Sequence, residues 1–338
     1  DYDKIDRLVH EKRSSFSNEV FLASEENDRV ITGSNYHAYV KLSEGCNQSC
    51  SFCAIPSFKG KLHSRTLESL VKEVTNLVKK GFKDFSFVSQ DSSSYLRDLG
   101  QNDGLEQLID AVEKIDGVKT ARILYLYPST TTDNLIDKIA DSKVFVNYFD
   151  MPLQHISQNM LKIMKRGKGA EKLIELMNYM RSKPNSFVRT TFIAGHPGES
   201  EDDFEELCSF VEDFGFDRGN VFSYSDEEGT SAETRDDKIE QELIDERAEI
   251  LGDIISQTTI KSLENDIGKS FEVYIDGESE EHEYLLSARK TIWAPQIDGE
   301  IYINDNEDNI PIVFGEIYEV EATQLAGDKL LAKIIRKV

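Results

Sequence analysis

The sequence has 338 residues, of which 39% are hydrophobic and 30% are charged, so it is long enough for two or three domains with apolar cores. Acidic residues outnumber basic ones by 63 to 39, and the net charge of −24 argues against direct binding to nucleic acid, which needs a basic surface. The net negative charge is compatible with a basic protein partner. It is equally compatible with a role in solubility alone.

Residues 1–35 are polar and mixed in charge, which predicts a linker or the remnant of a preceding unit. They lack the apolar segment of a signal peptide, and no apolar run in the chain approaches the roughly 18 residues of a membrane span. The chain does not begin with Met, which indicates a fragment of a longer protein.

Short apolar stretches bounded by turn residues predict strands, which lie within 37–45, 84–91, 121–128, 148–155, 187–194 and 218–224. Apolar residues at helical spacing predict helices, which lie within 67–81, 103–117, 132–142, 157–167, 170–183, 200–215 and 238–266. Ser200 is the expected N-cap of its helix. Alternating strands and helices predict a parallel α/β sheet, either a barrel or an open wound sheet, and about six strands are too few for an eight-stranded barrel.

The pattern changes near residue 266. Beyond Gly268, short alternating segments separated by turns predict about five strands and a small all-β barrel. We therefore expect one domain over residues 36–265 and a second over residues 266–338.

Three of the four cysteines, Cys46, Cys50 and Cys53, lie within the eight residues CNQSCSFC, directly after the first predicted strand. Active sites of parallel α/β folds lie at the carboxyl ends of strands, so this loop is well placed for chemistry. Four cysteines in a chain of this length do not make a disulfide framework, and clustered thiols indicate a reduced, cytoplasmic setting with a metal or redox site.

Zinc and an iron–sulfur cluster are both candidates for this site. Structural zinc takes four ligands, usually in two pairs, and the nearest additional donors, His37 and His63, have no partner pair. A 4Fe-4S cluster normally takes four cysteines, so three cysteines would leave one iron open to a substrate or cofactor. Three unconnected buried thiols are a third interpretation, which the clustering disfavours.

The stretch CNQSCSFC, with Phe52 before its last cysteine, resembles the CxxxCxxC signature of the radical S-adenosylmethionine enzymes. Residues 266–338 resemble their TRAM domain. Other stretches resemble the methylthiotransferases of that superfamily, namely FVSQDSSSY, FDMPLQHISQNMLKIMKRG, RTTFIAGHPGESEDDFEEL and YSDEEGTSA. This resemblance implies a partial (β/α)6 barrel followed by a small OB-like barrel. Within the group, IPSFKG, SQDSSSY and YSDEEGT resemble the enzymes that act on an aspartate of ribosomal protein uS12, and the tRNA-modifying members are the alternative.

The resemblance implies that Cys46, Cys50 and Cys53 hold three irons of a 4Fe-4S cluster and that S-adenosyl-L-methionine binds the fourth. One electron then cleaves the sulfonium bond, and the resulting 5′-deoxyadenosyl radical abstracts hydrogen from the aspartate β-carbon, to which methylated sulfur adds. A non-enzymatic, zinc-stabilised binding module remains the alternative from another class, although it does not explain a three-cysteine set at a strand end.

The family carries a second 4Fe-4S cluster, for sulfur, on three cysteines of an N-terminal domain. This sequence shows no such cysteines, and Cys208, on a predicted helix, is expected to be a small buried side chain. We therefore expect this chain alone to bind the radical cluster without completing sulfur insertion.

Further site residues are predicted near strand ends. Gln90 and Gln154 are candidates for contact with S-adenosylmethionine, and Asp91 is either a second contact or a strand-end cap. Arg189 is expected to pair with a cofactor group, and Gly195 to let the backbone approach the adenine. His155, Pro197, Gly198, Tyr224 and Asp226 are weaker candidates.

The charge of residues 266–338 favours a protein substrate. This segment has 16 acidic and 7 basic residues, so its net charge is 7 − 16 = −9. That sign is unfavourable for a phosphate backbone and favourable for a basic ribosomal protein. The other expected partners are a sulfur donor and a reductant such as flavodoxin or ferredoxin.

Overall fold

The structure, a computed structural model, describes residues 4–14, 21–27, 29–306 and 309–338. Its α-helices are α1 (Ile5–Glu11), α2 (Ile55–Lys59), α3 (Leu67–Lys79), α4 (Gly104–Val112), α5 (Asp133–Ala140), α6 (Gln158–Ile163), α7 (Ala170–Arg181), α8 (Glu201–Phe214) and α9 (Gln241–Glu264). Its strands are β1 (His37–Lys41), β2 (Ser43–Glu44), β3 (His63–Ser64), β4 (Asp84–Val88), β5 (Thr120–Ile123), β6 (Phe145–Asp150), β7 (Phe187–Ala194), β8 (Arg218–Ser223), β9 (Ser270–Glu278), β10 (Leu286–Lys290), β11 (Ile301–Asp305), β12 (Ile317–Ala326) and β13 (Lys329–Lys337).

Six parallel strands form the main sheet, in the order β1-β4-β5-β6-β7-β8. The sheet curls into a half-barrel, and this confirms the predicted six strands and partial barrel. Helices pack on one face, where leucine, isoleucine, valine and phenylalanine side chains form the larger apolar core. Burial of this apolar area supplies the main driving force for the arrangement.

Helices α3 to α9 begin within three residues of the positions that the sequence predicts, whereas α1 and α2 were not predicted. The Thr66 side chain caps α3 by accepting a hydrogen bond from the Ser69 amide at 3.2 Å. Ser200 caps α8 and forms a capping box with Asp203, as predicted. Leu70, Val74 and other apolar residues then recur on one face of α3 and lie in the core.

The five strands β9 to β13 form a closed barrel in the order β10-β11-β13-β12-β9. This confirms the predicted all-β module of about five strands. Closure leaves no free strand edge, which protects so short a sheet from pairing with other chains. The boundary predicted at residue 266 falls in the turn between α9 and β9, and it stays a prediction.

The barrel packs against the concave face of the main sheet. Trp293 from the barrel lies in an apolar cluster with Tyr148 and Phe187 from the sheet. The Tyr39 hydroxyl donates to the Pro295 carbonyl at 2.9 Å. The barrel therefore covers one part of the concave face.

A buried charge cluster fixes this interface. Asp84, at the start of β4, accepts hydrogen bonds from Arg122 of β5 at 2.7 Å and from Arg289 of β10 at 2.6 Å. All three side chains are almost fully buried. Burial opposes ionisation of Asp84, but the two guanidinium groups hold its pKa well below the ordinary value.

Some of the described residues before Tyr36 contact the sheet domain. This part of the chain includes α1 and a segment, residues 21–27, whose Glu25 accepts a hydrogen bond from Ser69 and forms an ion pair with Lys72 at 3.3 Å. Nearby, Ile31 packs against the core. The polar composition could not reveal these contacts, because they depend on where α3 lies.

None of the described helices combines the length and the apolar composition needed to cross a lipid bilayer.

We expect Asp84→Ala to lower the free energy of unfolding by about 3–5 kcal/mol, because it leaves two buried guanidinium groups without their carboxylate. The measurement is urea unfolding at pH 7. Lys138→Ala, which removes an ion pair with Asp110 on the surface, is the matched control and should change the midpoint little. Equal midpoints for the two variants would contradict the role given to Asp84.

Candidate active site

The cysteine loop, residues 46–53, is closed by a short hairpin. Strand β2 pairs with β3, and the Cys46 amide donates to the Gly60 carbonyl at 3.2 Å. Gly45 has a φ of +77°, and a Cβ at this position would lie 2.2 Å from the Lys61 carbonyl oxygen. Only glycine fits so close an approach, so Gly45 fixes the point where the loop leaves the sheet.

The three thiols line one end of a cavity of about 500 Å3 at the carboxyl edge of the sheet. Each is partly exposed. Burial raises the pKa of the Cys46 thiol to about 11 and also raises that of Cys53. Without a bound metal the Cys46 and Cys53 thiols therefore hold their protons at neutral pH, and metal binding has to displace these protons.

Ser51, inside the cysteine loop, ties the loop to three other segments. Its amide donates to the Met164 carbonyl at 3.1 Å, and its carbonyl accepts from the Ala232 amide at 2.9 Å. Its hydroxyl lies 3.0 Å from His196 Nε2. These contacts fix the cysteine loop against three other segments of the chain.

A buried arginine contacts the middle cysteine. Arg166 Nη1 donates to Cys50 Sγ at 3.3 Å, and its guanidinium lies 4.4 Å from the centre of the Tyr127 ring. The Tyr127 hydroxyl lies 3.7 Å from the same sulfur. Arg166 lies in a stretch that resembles the methylthiotransferases and Tyr127 in a predicted strand, but their contacts with Cys50 depend on tertiary packing.

The predicted contact residues Gln90, Gln154 and Arg189 all line the cavity. The side-chain oxygens Gln90 Oε1 and Gln154 Oε1 are buried without a hydrogen-bond partner in the described structure. Buried acceptors are normally satisfied, so these two amides are free to bind a ligand in the cavity. Their role in binding stays a prediction.

Arg189 is held from behind by two acids. Its Nη1 donates to Asp150 Oδ1 at 2.9 Å, and its Nε lies 3.5 Å from Asp298 Oδ1, which comes from the β-barrel domain. Burial disfavours the charge of Arg189, but Asp150 raises the pKa of its guanidinium. Burial raises the pKa of Asp298 to about 6. The barrel thus contributes a side chain directly behind the cavity wall.

Gly195 is not among the residues that line the cavity. Its amide donates to the Glu199 carboxylate, and a Cβ would lie 2.5 Å from Ile244 of α9. Glycine is therefore required here by helix packing. His155 is also fully buried, and its Nδ1 accepts from the Ile156 amide at 2.9 Å, as in a structural histidine.

Asp91 acts as a cap. Its carboxylate accepts from the Ser94 amide at 3.2 Å and from Gln48 Nε2 at 2.8 Å, and Gln48 belongs to the cysteine loop. Tyr224 lines the cavity, and its hydroxyl donates to Asp226 at 2.8 Å. The cap is one of the two roles that the sequence predicts for Asp91, whereas its contact with Gln48 depends on how the cysteine loop packs.

The arrangement fits the cluster that the sequence implies. Three thiols share one cavity end, a buried cation contacts one of them, and two unpartnered amides face the same space. In the part of the chain that the structure describes, no three His, Cys, Asp or Glu side chains converge on a single metal ion. A 4Fe-4S cluster does not need such convergence, because each cysteine binds a different iron.

We expect the chain, after anaerobic reconstitution with iron and sulfide, to bind about four irons, and Cys46→Ser, Cys50→Ser and Cys53→Ser to lose most of them. Iron and sulfide analysis with absorption spectroscopy provides the measurement. Cys208→Ser is the matched control and should keep the full content, because Cys208 packs against the core from α8. About eight irons per chain, or loss in the control, would refute the assignment.

Asp298→Asn should alter the pH dependence of stability. A folded-state pKa of about 6, against an ordinary 3.8, means that Asp298 adds stability at low pH that is lost as the pH rises through 6. Relative to wild type, the variant should therefore gain roughly 1.4 kcal/mol between pH 5 and pH 7.5. Asp150, whose pKa burial also raises, faces the same arginine in both proteins.

Urea unfolding at each pH provides the comparison. Asp328→Asn, in the exposed turn after β12, controls for the substitution itself. A constant difference between Asp298→Asn and wild type across this pH range would show that Asp298 is ionised normally.

Comparisons with known proteins agree with the architecture. Residues 40–211 match the Radical SAM superfamily, and residues 267–335 match the TRAM domain. Among solved structures, coproporphyrinogen III oxidase (HemN) from Escherichia coli, a radical SAM enzyme, aligns with a TM-score of 0.53 at 15% identity. The alignment covers 70% of this chain and 57% of that one, and it shows a shared fold.

Curated relatives are far more similar. The ribosomal protein uS12 methylthiotransferase RimO of Aliarcobacter butzleri is 79% identical over 338 residues, which are 99% of this chain and 76% of the relative. The RimO of Sulfurovum sp. is 61% identical over 337 residues, with 100% and 76% covered. Both alignments span almost the whole chain and therefore cover both domains. The chain therefore belongs to the RimO family of radical SAM methylthiotransferases.

Proposed function

We propose that this chain is the radical S-adenosylmethionine part of an enzyme that transfers a methylthio group to the β-carbon of an aspartate in ribosomal protein uS12. The observation that carries the proposal is the set of three thiols at one end of a cavity with unpartnered buried acceptors. The names of the relatives, each a uS12 methylthiotransferase, supply the substrate.

In this proposal, Cys46, Cys50 and Cys53 hold a 4Fe-4S cluster, and Gln90 and Gln154 accept hydrogen bonds from the S-adenosylmethionine that lies beside it. The cluster and its cofactor, when bound, supply one-electron cleavage of a sulfonium bond. The protein supplies position, because the loop is fixed by Ser51, and shelter from water within the cavity. Arg189 lines the same cavity and is paired with Asp150 and Asp298 behind it.

The mouth of the cavity suits a protein loop. Tyr125 and Phe222 line it and remain exposed, and the acidic Glu227 lies beside them. With the barrel's net charge of −9, this surface favours a basic polypeptide over a phosphate backbone. A tRNA adenosine, the substrate of related methylthiotransferases, is the second candidate, and the TRAM match is the observation that favours it.

Several components have to come from elsewhere. Cys208, the one cysteine outside the cluster loop, packs against the core and is not available to carry sulfur. We therefore propose a separate sulfur donor, a second 4Fe-4S cluster held by other cysteines in the full-length enzyme, and a low-potential reductant such as flavodoxin or ferredoxin. A ribosomal substrate places the reaction in the cytoplasm.

Deletion of the gene should abolish the methylthio group on uS12 and leave tRNA modification unchanged. The measurement is mass spectrometry of ribosomal proteins and of tRNA nucleosides from the same cells. The full-length gene carrying Cys208→Ser should restore the modification, whereas Cys50→Ser should not. Loss of a tRNA nucleoside with uS12 intact would assign the activity to the second candidate.

A further inference from the structure

Arg166 is a buried cation without an acidic partner among the described residues. Its side chain is 4% exposed and contacts the Pro152 carbonyl, the Tyr127 ring and Cys50 Sγ. Its Nε is buried without a hydrogen-bond partner in the described structure. Every other buried arginine discussed above, by contrast, contacts a carboxylate.

An unpaired buried guanidinium is costly, because burial removes it from water without a compensating charge. Arginine stays protonated in proteins, so this residue cannot avoid the cost by losing its proton. A negative charge is therefore expected within its reach. The contact that can provide one is Cys50, whose sulfur becomes anionic when it binds a metal.

The backbone directs Arg166 inward. Lys165 and Gly167 both adopt left-handed conformations, with φ of +57° and +75°, and the Arg166 amide donates to the Leu161 carbonyl at 2.9 Å. This tight turn ends α6, exposes Lys165 and buries Arg166. The face of Tyr127 then supports the guanidinium.

We propose that Arg166 is the counter-charge of the iron–sulfur cluster and raises its reduction potential by donating a hydrogen bond to the Cys50 sulfur. Reduction adds one electron, and therefore one negative charge, to the cluster. A fixed cation beside a ligand sulfur stabilises this reduced form more than the oxidised form. Net charge and hydrogen bonds to the sulfurs are established determinants of such potentials.

The inference rests on the proposed function only for the presence of the cluster. It does not depend on uS12, on the sulfur donor or on turnover, so a failed methylthiolation assay would leave it intact. Arg166 also lines the cavity, where the carboxylate of S-adenosylmethionine is another anion it could pair with. Measurement without that cofactor separates the two roles.

The test compares the midpoint potentials of clusters in wild type, Arg166→Met, Arg166→Gln, Arg166→Lys and Lys165→Met. Each protein is reconstituted anaerobically without S-adenosylmethionine and titrated with titanium(III) citrate, a one-electron reductant. Electron paramagnetic resonance reports the reduced cluster. Lys165→Met is the matched control. It also removes one positive charge, but the Lys165 side chain is exposed and contacts Ser231.

In Arg166→Met and Arg166→Gln, the equilibrium constant for cluster reduction should fall at least tenfold relative to wild type. For a one-electron step, this corresponds to a midpoint potential lower by 59 mV or more. Arg166→Lys keeps the charge and should shift less than tenfold, and Lys165→Met should match wild type. Both neutral variants could show a folded circular dichroism spectrum yet lose their iron, while Arg166→Lys retains it. That result would support the counter-charge role, because Arg166→Lys is the variant that keeps the charge.

Equal potentials in wild type and the neutral variants would overturn the proposal. An equal shift in Lys165→Met would also overturn it, since it would show a general effect of charge. Loss of iron from all three Arg166 variants would likewise count against it, because it would show that side-chain shape is required.

Discussion

A curled sheet of six strands has a concave face that must be covered. The way in which that face is covered sets both the domain interface and the position of the cavity. The described helices that pack against the larger apolar core lie on the convex side, so the concave side needs another partner. The β-barrel supplies it through Trp293 and through the buried contacts of Asp84 with Arg122 and Arg289. The barrel covers part of the face, and the uncovered part is the cavity that holds the three thiols.

Buried charge follows a consistent rule around this cavity. Asp84 is neutralised by two arginines at the domain interface, and Arg189 is neutralised by Asp150 and Asp298 behind the cavity wall. Pairs of this kind add little net stability, but removal of one member leaves the other unpaired and is strongly destabilising. Arg166 has no acidic partner among the described residues, and in our proposal the Cys50 sulfur becomes its anion when the cluster binds.

The two domains are therefore joined by apolar packing and also by an ion pair next to the cavity. Asp298 belongs to the barrel, yet it contacts an arginine that lines the cavity of the sheet domain. A movement of the barrel would change the electrostatic environment of that wall. The barrel domain, with a net charge of −9, therefore also supports the cavity wall through Asp298.

Local pattern was sufficient for much of the fold. Apolar spacing located helix α3, and Ser200 was recognised as a cap because its chemistry is local to four residues. The three clustered cysteines, placed directly after a strand, indicated a metal or redox site, and the resemblance of their motif identified the superfamily. The hairpin of β2 and β3 was missed, because two-residue strands carry no periodicity.

The sequence by itself determined the alternation of strands and helices, the change to an all-β module and the cysteine loop, since these depend on residues close together in the chain. Only the tertiary structure decided which side chains surround the thiols. Arg166 lies 116 positions from Cys50, and Asp298 lies 109 positions from Arg189, a separation of 298 − 189. Contacts over such distances arise from how strands and domains pack, and no local pattern encodes them.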